Sequence, residues 1–197
     1  MTATTLAILA GGAGSRMGGP KGALRVGGKP ILAYLLDRLR WEGPTVLVTA
    51  PGRERPPGCE QFHREVTDPV AGEGPVRGVL RALEAMETDV AVVTTCDMPG
   101  MTSPQLLWLK DALSKHPGAP IVMLRRGADL EPFPFAVRRG ALTILREHFD
   151  RGGRSMHSLA QLAGAAVLPA PDDWQPQTWT NLNTPADFAA FTNDHLA

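Results

Sequence analysis

Residues 5–22, reading Thr-Leu-Ala-Ile-Leu-Ala-Gly-Gly-Ala-Gly-Ser-Arg-Met-Gly-Gly-Pro-Lys-Gly, constrain this chain more than any other stretch. The apolar run at its start suits a strand buried on both faces, as in a parallel sheet. Directly after it come Gly11, Gly12, Gly14, Gly18 and Gly19, with Arg16 and Lys21 among them. Glycine lets a backbone turn at positive φ and approach a ligand with no Cβ in the way. Amides freed in such a loop point at an anion, and the two cations add charge to the same place. The pattern predicts a phosphate cradle at the carboxyl end of a first strand. It is neither of the two common cradles. A P-loop needs G-x-x-x-x-G-K-[ST], whereas Gly28-Lys29 is followed by Pro30. A dinucleotide fingerprint needs G-x-G-x-x-G, and its last glycine falls here on Met17.

Beyond the loop, apolar runs predict strands over 45–49 and 90–94 and further ones over 120–124, 134–137 and 166–168, and a short extended segment is expected around 66–68. Residues 125–127 read as a turn. Helical periodicity follows Pro30, Pro75 and Pro104, with Pro30 expected at the first helical position, and recurs over 141–149 and 155–162. A last helix opens at Thr184-Pro185, with Thr184 as its N-cap. Strands alternating with helices imply an α/β protein with a doubly wound, mostly parallel sheet. No repeat or linker divides the chain, so residues 1–197 read as a single domain, and 43% hydrophobic content is enough for one good core. Lys and Arg together number 20 and so do Asp and Glu, so charge alone predicts no nucleic-acid and no membrane partner. Cys59 and Cys96 stand in no metal-ligand spacing, and no apolar run approaches the length of a membrane span. A cytoplasmic protein is the expectation.

In an open parallel sheet, ligands lie beyond the carboxyl ends of the strands. Thr49, Asp68 and Asp97 each stand at such an end, as does the glycine loop. Asp97 follows the long apolar run 90–94 almost directly. A carboxylate at that place is costly alone and at home beside a divalent cation. The Met98-Pro99-Gly100 spacer leaves it badly placed to cap the next helix. Asn181 and Asn183 occupy alternate positions and so share one side of an extended segment, where they offer a ligand oxygen or serve as turn residues before the helix. Ser155, His157 and Ser158 lack a G-x-S-x-G elbow, which argues against a hydrolase.

Leu9 to Lys21, Gly28-Lys29-Pro30, Asp68, Gly74-Pro75 with Gly78, Cys96-Asp97-x-Pro99 and Asn181-x-Asn183-Thr184-Pro185 follow one another along nearly the whole chain. In this set and order the chain resembles the molybdenum cofactor guanylyltransferases, nucleotidyltransferases that join GTP to molybdopterin. The resemblance implies a Rossmann-like nucleotidyltransferase fold, transfer of GMP to the acceptor's terminal phosphate with release of pyrophosphate, and Mg²⁺ as cofactor. It assigns Leu9, Ala10, Gly11 and Gly12 to the nucleotide, Lys21 to the triphosphate, Thr49 and Asp68 to further nucleotide contacts, and Asp97 to nucleotide and metal. Arg16 joins Lys21 and Asp97 in the expected catalytic set. Arg154, Asn181 and Asn183 are the acceptor candidates, with Arg125, Arg126 and the 132–135 stretch beside them.

The implied partners are GTP and molybdopterin as small-molecule substrates, with transient contacts to molybdenum-insertion proteins and molybdoenzymes. The implied assembly is a monomer or weak homo-oligomer. Two positions depart from the family pattern: Pro20 stands where relatives usually carry Asp, and Thr49 where they often carry Asn. The competing readings are a cytidylyltransferase acting on molybdopterin or on a sugar or isoprenoid phosphate, and a nucleotide-binding regulator without chemistry. Relatives that use CTP on molybdopterin tend to carry Ala where this chain has Gly11, which favours the guanylyl reading. Retention of Lys21 and Asp97 speaks against the regulator.

Overall fold

The computed structural model describes residues 3–12 and 14–196, so Ala13 of the glycine loop lies outside the described residues. The first strand, β1 (Thr5–Leu9), is buried along its whole length. Its side chains alternate between two cores: Leu6 and Ile8 face one apolar cluster, Ala7 and Leu9 the other. This is the period-2 geometry of a strand covered on both faces. A small ribbon follows, β2 (Arg25–Val26) against β3 (Lys29–Pro30). Its turn residues Gly27 and Gly28 have φ of 56° and 77°, the left-handed pair that a tight hairpin demands.

Helix α1 (Ile31–Leu39) starts one residue later than its proline suggested, with Pro30 as N-cap at ψ 137°. Pairing of Pro30 with Arg25 in the ribbon holds it extended. The order continues with β4 (Thr45–Thr49), β5 (Arg64–Thr67), α2 (Pro75–Ala85), β6 (Val90–Thr95) and α3 (Ser103–Lys115). Then come β7 (Ile121–Arg126), β8 (Asp129–Arg138), α4 (Leu142–Asp150), β9 (Ala166–Pro169) and α5 (Pro185–Leu196).

Among the described residues the main sheet has seven strands in the order β5-β4-β1-β6-β8-β7-β9. Pairs β4–β5, β1–β4, β1–β6 and β7–β9 are parallel, while β8 runs antiparallel to both β6 and β7. The sheet is thus α/β, doubly wound and mostly parallel, with α1 and α3 on one face and α2 and α4 on the other. Local sequence understates β8, which begins at Asp129 rather than Pro134. Gly127 at φ 62° turns β7 back on β8 through a two-residue connection, and the register shifts between Val122 and Leu124. No described helix is long and apolar enough to cross a membrane.

Helix ends bear on the site. Helix α3 is capped by Thr102 and Gln105 in a capping box, which leaves Asp97 free of that duty. Helix α5 opens as the sequence suggests. Thr184 Oγ1 accepts from the Asp187 amide at 3.2 Å, and the Asp187 carboxylate accepts from the amides of Asn183 and Thr184. Between Asp97 and α3, Gly100 lies so close to the 176–179 turn that a Cβ there would sit 1.8 Å from the Gln177 carbonyl oxygen. Gly100→Ala should therefore cost about 1–3 kcal/mol of stability, as overpacking does. Gly118→Ala, where a Cβ meets nothing within 4 Å, should stay within about 0.5 kcal/mol of the parent. Thermal or urea denaturation of the two variants checks this.

Candidate active site

The carboxyl ends of β1, β4, β5 and β6 open onto one cleft of about 400 Å³. Its floor and walls include Leu9, Gly11, Gly12, Lys21, Val48, Asp68 and Asp97. Parallel pairing aligns these ends: Leu9 pairs with Val48 on one side and with Thr95 on the other. The Cys96 amide donates to the Leu9 carbonyl at 3.1 Å, so β6 stays joined to β1 up to the residue before Asp97.

At the centre is an ion pair. Lys21 Nζ donates to Asp97 Oδ2 at 2.5 Å and to Asn183 Oδ1 at 2.6 Å. Both charged side chains are sheltered, 14% and 15% exposed. The Thr95 hydroxyl donates to Asp97 Oδ1. The Leu182 amide donates to the Asp97 carbonyl at 2.8 Å, which straps the 181–183 segment across the end of β6. Distant parts of the chain, the glycine loop, the β6 end and the segment before α5, thus meet at Asp97 and its Lys21 partner. Cys96 beside it is fully buried, and burial pushes its thiol up to about 12, so it stays protonated and inert.

Asp68 follows β5, and its amide donates to the Thr49 carbonyl at 3.0 Å. Its Oδ1 is buried and has no hydrogen-bond partner among the described residues. Burial raises its pKa to about 6; the charges of Arg77 and Arg81 pull the other way, and Glu73 adds to the rise. A half-buried carboxylate with a spare oxygen, facing a cleft, is an acceptor ready for a donor from a ligand.

Other expected residues stand elsewhere. Thr49 does not enter this cleft: its hydroxyl pairs with Thr67 Oγ1 at 3.0 Å and borders a second, smaller cavity with Pro20 and Glu65. The cause is strand alternation. Val48 and Leu9 point to the α2 side, so Thr49 and Ala10 point away. The Ala10 amide is also taken by the Val48 carbonyl at 2.8 Å. Arg16, in a short 3₁₀ turn, is exposed and outside the cleft lining.

The acceptor candidates are not brought together. Asn183 is on Lys21, while Asn181 is exposed and bonds locally to the Trp179 carbonyl. Arg154 packs its backbone against Gly74 at the α2 end of the cleft and lays its guanidinium over the Phe149 ring at 3.6 Å. Arg125 bonds to the Gly127 carbonyl, and Arg126 pairs with Glu131 and lies over Trp179. Of the 132–135 stretch, Phe133 enters the cleft through the irregular part of β8. One further lining residue had no distinct signal in the sequence: Arg53, in a polar loop, donates to the Gly12 carbonyl at 2.7 Å.

Residues 6–166 match the family model described as "MobA-like NTP transferase domain". The chain belongs to the MobA-like NTP transferase family. It is accordingly a nucleotidyltransferase. Among curated proteins, this transferase is similar to a probable molybdenum cofactor guanylyltransferase of Nostoc sp., 30% identical and covering 98% of this chain and 93% of that one. A molybdenum cofactor guanylyltransferase of Vibrio cholerae is 28% identical, with 95% and 91% covered. Among solved structures, the fold matches molybdopterin-guanine dinucleotide biosynthesis protein A from Archaeoglobus fulgidus with a TM-score of 0.80 at 22% identity, covering 96% and 97%. It also matches 2-C-methyl-D-erythritol 4-phosphate cytidylyltransferase from Thermus thermophilus with a TM-score of 0.70 at 15% identity, covering both chains fully.

The carboxyl of Asp68 gives this transferase a testable pH response. It titrates near 6 in the folded protein against about 3.9 in an unfolded chain. Between those values the folded state holds the extra proton, so this group's contribution to stability falls as pH rises, and its full penalty stands above about 6. Asp68→Asn cannot ionise. Its thermal midpoint should exceed that of the parent near pH 7.5, and the gap should close toward pH 4.5. A gap independent of pH in thermal denaturation would contradict the assignment.

Proposed function

We propose that this protein transfers GMP from GTP to the terminal phosphate of molybdopterin, releasing pyrophosphate and forming the guanine dinucleotide form of the cofactor. The observation that carries the proposal is the meeting of Lys21 and Asp97 in the cleft built by the glycine loop, in a chain whose family relatives are named for this activity. A regulator without chemistry needs no carboxylate at that point.

The donor set suits Mg²⁺. Asp97 offers a sheltered carboxylate that already attracts a cation, the Lys21 ammonium, and the described residues hold no group of three or more His, Cys, Asp or Glu that would enclose a metal. Magnesium is commonly held by one or two carboxylates with substrate phosphate oxygens and water completing the shell. Bound there, it would supply charge neutralisation across the phosphates.

The chain's own groups do the rest. Backbone at Gly11 and Gly12 lets the polyphosphate approach closely, and Lys21 offers its ammonium to it. The partnerless Asp68 oxygen accepts a donor from the nucleotide, which guanine N–H groups and ribose hydroxyls both provide. The acceptor's phosphate is already anionic and attacks the α-phosphorus without a general base, so catalysis is positioning and charge stabilisation. Asn183, bonded to Lys21, belongs in this reading to the phosphate end of the cleft rather than to a separate acceptor pocket.

Two measurements test this reading. Calorimetry with Mg²⁺ should show tighter binding of GTP than of CTP; the reverse order would replace it with a cytidylyltransferase. Asp97→Asn should lower turnover on the order of a hundredfold, the loss of a few kcal/mol of transition-state electrostatics. Asp97 is not the unpaired carboxylate that its sequence position suggests, because Lys21 and Thr95 both hold it. The variant should therefore also lose roughly 1 kcal/mol of stability, a modest value because part of the pair meets solvent.

A further inference from the structure

The Asp97 carboxylate has its two oxygens committed to residues of different character. Oδ1 accepts from the Thr95 hydroxyl and Oδ2 from the Lys21 ammonium. Thr95 closes β6, is paired to Leu9 in the parallel ladder, and carries a β-branched side chain with few rotamers. Its hydroxyl is therefore fixed relative to the sheet. Lys21 sits at the far end of a flexible four-carbon stem on the glycine loop, and Asn183 Oδ1 offers its ammonium a second acceptor at 2.6 Å. One oxygen of Asp97 is held by a rigid group and the other by a mobile one.

Resting on the reading of Asp97 as the metal carboxylate, we propose that Thr95 is a positioning residue. It fixes Asp97 through Oδ1 while the Lys21 ammonium fills the cation place at Oδ2, which a nucleotide polyphosphate frees by drawing Lys21 away. An ammonium at 2.5 Å from Oδ2 excludes a second cation from that oxygen. In the absence of nucleotide, Lys21 and a divalent cation compete. With nucleotide present, Lys21 has a more highly charged partner, Oδ2 is free, and Thr95 keeps it aimed into the cleft. Metal and nucleotide must then bind cooperatively, each favouring the other to the same degree. Asn183 gives the displaced ammonium a hydrogen bond during the exchange.

Among the described residues, no other group in the cleft plays Thr95's part. The Asp97 main chain is anchored by the strap through Leu182, but its carboxylate has no other described hydrogen-bond donor besides Lys21. Removing the hydroxyl would leave a carboxylate free to rotate once Lys21 departs. Thr95→Val keeps the shape and removes only the donor, Thr95→Ala is a second loss variant, and Thr95→Ser restores the donor.

The test reads Mn²⁺ binding to the whole protein by electron paramagnetic resonance, with and without a GTP analogue that carries a methylene between the α- and β-phosphates. The wild type should bind Mn²⁺ at least tenfold more tightly when the analogue is present. Lys21→Met should bind Mn²⁺ alone more tightly than wild type and lose most of that cooperativity. Thr95→Val and Thr95→Ala should weaken Mn²⁺ binding in the presence of the analogue about tenfold. They should raise the Mg²⁺ needed for half-maximal activity by a similar factor, leave kcat at saturating Mg²⁺ within about threefold, and be rescued by Thr95→Ser. Wild-type Mn²⁺ affinity in Thr95→Val, or no gain for Mn²⁺ alone in Lys21→Met, would overturn the inference while Asp97→Asn still abolishes binding. Undiminished Mn²⁺ binding by Asp97→Asn would instead overturn the metal assignment itself, and the inference with it.

Discussion

The sheltered pair of Lys21 and Asp97 is the constraint on which the rest of the site depends. Opposite charges at 2.5 Å attract strongly in a partly desolvated cleft, but only if the backbone brings them there without strain. The adjacent parallel strands β1 and β6 do this. They end together, at Leu9 and Thr95, and each hands its next residues to the same edge of the sheet. The apolar side chains of both strands are buried between the helices of the two faces. Hydrophobic burial thus holds the two ends rigidly enough for one carboxylate and one ammonium to be specified.

Around that pair, each neighbouring feature limits how the cleft can be used. The 181–183 segment is pinned to Asp97 through the Leu182 amide, and the reciprocal Thr184–Asp187 cap fixes where α5 begins. Gly74, at φ 86°, lets the α2 N-terminus lie against the Arg154 backbone, which shapes the far wall. Arg53 ties its loop to the Gly12 carbonyl. The outcome is an open trough of positive and negative groups placed at strand ends, with a spare carboxylate oxygen at Asp68.

Much of this was legible from residue order. The Gly11–Lys21 loop, the long apolar run before Asp97 and the Thr184-Pro185 helix start all state local physics, in backbone freedom, burial of both strand faces and capping. Strand β8 was less legible because its first half is irregular, only partly buried and interrupted by two prolines, so alternation and propensity give little signal there. Its insertion between β6 and β7 is a matter of long-range pairing, invisible to any local window.

By itself, the sequence determined which charged groups could gather at the strand ends: a glycine loop with Lys21, Asp97 after a long apolar strand and Asp68 after a short extended segment. Tertiary structure alone decided how they are used. It turned Thr49 and Ala10 to the opposite side of the sheet, left Arg16 outside the cleft and sent Arg154 onto Phe149. It also joined Asn183 to Lys21 across 162 residues and placed the Thr95 hydroxyl on Asp97. The reason is physical. A residue's type fixes what charge or donor it can offer, whereas the face it points to depends on strand parity and on which distant strands happen to pair beside it.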